Sequence, residues 1–243
     1  MFSRSASRAA PEPFATSLPR PDPPSWWRYE MQWDAHEVTP GLFIGPWSVV
    51  APQNPFLQSA SITHVLMLRQ PADRHPGPEL AESLAARRCF SSLVEWDVGP
   101  QPSGTLPIPL LRDLCQSIHF ILQNGGRVLV CCSNGSRVSG LLAVAYLLQT
   151  DPSLSVTNAA IRARARRFCL TFDSWDLRQL KELEHMVQTV AAIQAAAARR
   201  AASLSGLDTG LNPRKRRPTE RLPPGTPPAH GAPLPSPKAP RLY

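Results

Sequence analysis

The stretch RVLVCCSNGSRVSGLLAVAYLLQT, residues 127–150, decides the fold. Val128, Leu129 and Val130 form a short apolar run suited to a buried strand, and Leu141 to Leu148 reads as a buried helix. Between them Cys132, Ser133, Asn134, Gly135, Ser136, Arg137 and Val138 make a small, polar connection. A strand, a short polar loop and a helix bring the loop's backbone N–H groups and the positive end of the helix dipole to one point. That point favours an anion, phosphate above all. A cysteine at the mouth of such a loop has its thiolate favoured by the same dipole, as a phosphate-attacking nucleophile requires.

The stretch resembles the signature loop of the cysteine-dependent dual-specificity protein phosphatases, whose pattern is His-Cys, two residues, Gly, one residue, Ser or Thr, then Arg. With strand VLV (128–130) and helix AYLL (145–148) held in the family's register, Cys131 stands at the histidine and Cys132 at the nucleophile, while Gly135 keeps its place. Arg137 then falls on the hydroxyl position and Val138 on that of the phosphate-clamping arginine. In this register the loop keeps its shape and loses its chemistry, Cys132 being a vestigial nucleophile position and residues Cys132 to Ser139 a phosphate-binding ring. A second register stays open: Cys131 and Arg137 have the Cys, five residues, Arg spacing, with Ser136 before the arginine. It describes an active dual-specificity phosphatase.

Upstream, WRYEMQWDAHEVTPGLFIGPW (27–47) and ITHVLMLRQ (62–70) resemble specifically the phosphoserine/threonine/tyrosine-interacting (STYX-type) pseudophosphatases. The same residues are also core strands in their own right: Leu42 to Ile44 follow a Pro-Gly turn, and Val65 to Leu68 suit a parallel strand buried on both faces. Residues 89–97, CFSSLVEWD, form a further expected strand. The family places its general acid in the loop after that strand, where this chain has Pro100; Asp97 precedes the position. Leu111, Leu114, Ile118, Ile121 and Leu122 recur at helical spacing, with His119 a structural histidine on that helix. SLSVTNAAIRARARRFCL (153–170) resembles the family's next helix, and its Arg162, Arg164, Arg166 and Arg167 are either a positive field near the pocket or a solvated face. Leu177, Leu180, Leu183, Met186, Val187 and Val190 carry a last helix that runs into AAIQAAAARRAA.

Composition bounds the rest. The 243 residues, 42% hydrophobic, provide for one domain and tails: a disordered segment 1–25, a phosphatase-like domain 26–190, a helical extension 191–205 and a proline-rich basic tail 206–243. The fold class expected is α/β, a dual-specificity phosphatase-like mostly parallel sheet flanked by helices. Five cysteines without a C-x-x-C pair point to free thiols and an intracellular chain, with neither metal nor cofactor expected. The segment MFSRSASRAAPEP reads as a presequence or as a plain tail. No run is long enough to span a membrane, and the basic residues behind the net charge of +8 fall into two separate clusters without a nucleic-acid motif. The resemblance implies partners that are phosphorylated signalling proteins, among them members of the MAP-kinase pathway, with the chain as competitor or anchor. The basic run NPRKRRP (212–218) leads us to expect protein in both cytoplasm and nucleus.

Overall fold

A computed structural model describes residues 18, 22–69, 84, 89–95 and 106–205. Five strands form one sheet in the order β1-β2-β5-β3-β4: β1 His36–Thr39, β2 Leu42–Pro46, β3 His64–Arg69, β4 Phe90–Glu95 and β5 Val128–Cys132. β1 and β2 are antiparallel, and β2, β5, β3 and β4 run parallel. Parallel neighbours need crossovers, and helices supply them. A short α1 (Phe56–Ser59) precedes β3, α2 (Ile108–Gln123) precedes β5, and α3 (Val138–Thr150), α4 (Val156–Arg166) and α5 (Ser174–Ser205) follow it.

Alternation along β5 sorts the molecule into two cores. Val128, Val130 and Cys132 face a cluster that holds Leu111, Ile118, Leu142 and Leu180 from the large helices. Leu129 and Cys131 face the other side, with Phe43, Val49, Leu57, Val65 and Met67. All five β5 residues are buried because the strand lies mid-sheet with side chains packed on both faces. α3 is buried from Val138 to Leu148, which explains a sequence apolar on every side rather than along one stripe.

The expected fold class is the observed one. β1 goes beyond the expectation: HEVT pairs with β2 across the Pro40-Gly41 turn, Gly41 taking φ 80°, so the sheet gains an antiparallel edge. Contacts divide the chain into units 1–199 and 200–243. In the second, only residues 200–205 are described, and they are helical. The expected loop acid near Pro100, Asp97 and the basic run 212–218 lie outside the described residues.

Candidate functional site

The loop 133–137 leaves the C-terminal end of β5, where parallel sheets place their ligands, and enters α3 at Val138. Gly135 turns the chain there with φ 65°, in the left-handed region that favours glycine. It also packs on the end of β2: a Cβ at this position would stand 2.3 Å from the Gly45 carbonyl carbon and the Pro46 nitrogen. Glycine is therefore required twice over, for conformation and for space. No side chain caps α3, whose N-cap is Arg137. The first N–H groups of a helix have no intrahelical acceptor, and with the dipole they make the start of α3 a place for an anion.

The two cysteines separate by face. The Cys132 thiol lies 3.7 Å from Asn134 Oδ1 and 3.4 Å from Ser139 Oγ, so it sits at the loop. One thiol proton serves one of these acceptors at a time; a thiolate would instead accept from the Ser139 hydroxyl. Cys131 is fully buried in the opposite core, and burial, then the neighbouring Cys132, pushes its thiol well above the ordinary range. The register built on Cys131 as nucleophile thus fails on geometry: moving the nucleophile one residue along a strand moves it to the other face of the sheet.

Arg137 fails that register as well. Its Nε donates to Asp176 Oδ2 at 2.8 Å and its Nη2 to Asp176 Oδ1 at 3.2 Å, while the same Nη2 lies 2.5 Å from Asp173 Oδ2. Asp176 is 1% exposed. The two carboxylates also cap α5 reciprocally, each accepting the other's backbone N–H. The Arg137 guanidinium therefore ties the loop to the start of α5. Val138, in the clamp position, is buried and apolar.

The four arginines of 162–167 have different fates. Arg162 and Arg166 are exposed, and Arg164 donates to the Leu170 carbonyl and stacks over Phe172. Arg167, 0% exposed, passes behind the loop. Its Nε donates to the Gly135 carbonyl at 2.8 Å, Nη2 to the Gln32 carbonyl at 2.7 Å, and Nη1 to the Asp34 carbonyl at 2.5 Å and to His36 Nδ1 at 2.8 Å. Since guanidinium only donates, His36 must accept through an unprotonated Nδ1. Burial, then the charge of Arg167, lowers the His36 pKa from 6.5 to about 4. These acceptors are neutral, and the buried positive charge adds to the field felt at the loop.

The loop residues named from the sequence thus come together, with one donor already engaged: Asn134 Oδ1 accepts the Ser136 N–H at 3.1 Å. His119 stands apart, 3.4 Å from the Tyr146 hydroxyl on α3. Sequence reasoning missed His36, Asp173 and Asp176. The one available signal was Arg137 itself, a cation on a hydroxyl position, which calls for a carboxylate partner. Among the described residues no helix is long and apolar enough to cross a membrane. Nor do the described residues hold a group of three or more side chains suited to a metal ion.

No model of a protein family matches this chain. Individual relatives do. The mouse serine/threonine/tyrosine-interacting protein is 30% identical over 186 residues, spanning 73% of this chain and 77% of the relative. The chain belongs to the family of serine/threonine/tyrosine-interacting proteins. Serine/threonine/tyrosine-interacting protein B of Xenopus laevis is 30% identical over 165 residues, 65% of this chain and 68% of its own. The crystal structure of the human tyrosine phosphatase-like serine/threonine/tyrosine-interacting protein superposes with a TM-score of 0.52 at 26% identity, covering 63% of this chain and 96% of that one. Human DUSP28, at 23% identity, a TM-score of 0.51 and coverage of 63% and 95%, shares the fold. This member therefore has a dual-specificity-phosphatase-like fold.

Proposed function

We propose that the protein is a catalytically inactive phosphatase-like protein that holds a phosphorylated side chain of a signalling protein at the loop Cys132 to Ser139. It acts there as competitor or anchor in kinase and phosphatase signalling, on partners that include MAP-kinase pathway members. The observation that carries this reading is the disposition of cations: the clamp position is Val138, and the nearest candidate, Arg137, is bound to Asp173 and Asp176. Phosphoryl transfer needs a positioned cation on the equatorial oxygens, and loss of one preorganised donor costs about 10² to 10³ in rate. Binding asks for less. Backbone N–H groups at the start of α3 and the buried Arg167 charge support anion affinity whatever the neighbouring side chains are. The printed names of the relatives, serine/threonine/tyrosine-interacting protein, point the same way.

The test pairs two assays on the full chain. Calorimetry with matched phosphorylated and unphosphorylated peptides is expected to show a preference for the phosphorylated one. An aryl phosphate is expected to turn over no faster than with a Cys131→Ser, Cys132→Ser double variant. Equal binding of both peptides would make this a plain interaction module. Turnover above the double variant would make it an enzyme.

A further inference from the structure

We propose that the protein carries a ligand site separate from the loop 133–137, a cleft between α2, α3 and α5 that binds a small amphipathic carboxylate. The cleft lies at the opposite end of α3 from the loop. Two cavities compose it, of about 610 Å³ and about 490 Å³. They share Gln116 and Gln149, so they lie side by side across that seam. Each volume falls within the range of roughly 300 to 1,000 Å³ that small-ligand sites occupy.

The polar lining selects an anion. On α2, Arg112, Gln116, His119 and Gln123 recur at intervals of four, three and four residues and all line the cleft. Leu111, Leu114 and Ile118 of the same helix are buried in the core. No aspartate or glutamate is among the described residues that line either cavity. Arg112 forms no ion pair among the described residues. A concave site that offers a guanidinium and carboxamides without a carboxylate is complementary to a negative group.

Gln149 gives an independent sign. Its Nε2 is buried and has no hydrogen-bond partner among the described residues. A carboxamide N–H taken out of water without an acceptor costs stability, so it calls for an acceptor that the chain does not supply. A carboxylate only accepts, and it has oxygens for Gln149 and for Arg112 together. The remaining wall decides what that carboxylate is attached to. Leu183, Met186, Val187 and Val190 of α5 line the larger cavity and offer it apolar surface. An inorganic anion would leave this wall uncovered, and a neutral lipid would leave Arg112 and Gln149 without a partner. An alkyl carboxylate satisfies both.

Calorimetry of the full chain with octanoate tests this, beside octanol and acetate, which each lack one half of the ligand. Octanoate is expected to bind at one site per chain, at least about tenfold more tightly than either, and to raise the melting temperature. Arg112→Gln should raise its dissociation constant about tenfold, through loss of a charge-assisted hydrogen bond. Arg162→Gln removes the same charge from an exposed position on α4 and should leave binding as it is. Gln149→Leu should weaken octanoate binding while raising the melting temperature of the ligand-free chain, a pairing that a purely structural glutamine would not give. Should that variant not fold, Arg112→Gln decides alone, since position 112 is exposed. Absence of octanoate binding overturns the proposal, whether the cleft then holds water or another protein. So does octanol binding as tightly as octanoate, or a loss in Arg162→Gln equal to that in Arg112→Gln.

Discussion

Protonating His36 should loosen the loop 133–137, and the size of the effect follows from its surroundings. His36 Nδ1 accepts from Arg167, whose Nε holds the Gly135 carbonyl. The folded state therefore requires a neutral imidazole, and its pKa falls from 6.5 to about 4. The folded value lies below the unfolded one. The stabilisation is then complete above pH 6.5 and is lost as pH falls towards about 4, because the unfolded chain takes up a proton that the folded chain refuses. At about 1.4 kcal/mol per pH unit the interval sets a ceiling of about 3.4 kcal/mol. The ring is only half-buried, and solvent screening reduces this to about 1 to 2 kcal/mol.

The assay is urea unfolding of wild type and His36→Gln at a series of pH values across that window. Glutamine keeps an oxygen acceptor for Arg167 and does not titrate. Carboxylates common to both proteins cancel in the difference, which should shrink by about 1 to 2 kcal/mol from pH 7 to pH 4 in the direction that costs wild type. Phosphopeptide affinity of wild type should fall over the same range more than that of the variant. Parallel stability curves would refute the reasoning, since they would mean that the imidazole is as free to protonate in the folded protein as in the unfolded chain.

Other expected outcomes are more local. Gly135→Ala should lower unfolding stability by about 2 to 4 kcal/mol, through positive φ and overlap with the β2 backbone, so a loss of phosphopeptide binding there is read together with a melt. Arg137→Ala should cost about 2 to 4 kcal/mol in chemical denaturation by stranding the Asp176 carboxylate, with Arg137→Lys recovering only part because it lacks the planar fork. Asn134→Ala releases the Ser136 N–H and should tighten inorganic phosphate binding about two- to tenfold by calorimetry. Replacing Arg214, Lys215, Arg216 and Arg217 with alanine should shift the protein from nucleus to cytoplasm in imaged cells; an unchanged distribution removes the import reading.

Much of this was legible in the sequence, for identifiable reasons. The β5 run and the largely apolar α3 are signals of burial, and two anchors flanking a short loop leave little freedom for what lies between. β1 escaped because four residues with one buried position, Val38, carry almost no periodicity. Asp173 and Asp176 escaped because their partner is 39 residues away from Asp176, and a carboxylate near a helix start already has a sufficient local role as a cap. The arginine run was ambiguous because helical spacing orders only residues within the helix. Arg167 is the C-cap of α4, where the backbone leaves the helix at φ −137°, and its direction is set by the fold.

On the function proposed above, the same accounting explains how a phosphatase loop would outlast phosphatase chemistry. The features that hold it are Gly135 against Gly45 and Pro46, Arg167 on the Gly135 carbonyl, and Cys132 beside Ser139, none of which involves a substrate. Each serves the core at the end of the central strand, so the stability of the domain maintains the loop. The side chains at 137 and 138 are under a different constraint. A guanidinium aimed into an empty anion site gains no carboxylate partner there, whereas at Arg137 it gains two, and a valine at 138 gains burial. On that reading, exchanging a clamping cation for a structural one would favour the folded state at the expense of turnover. It would leave the N–H groups of the loop in place for the proposed binding.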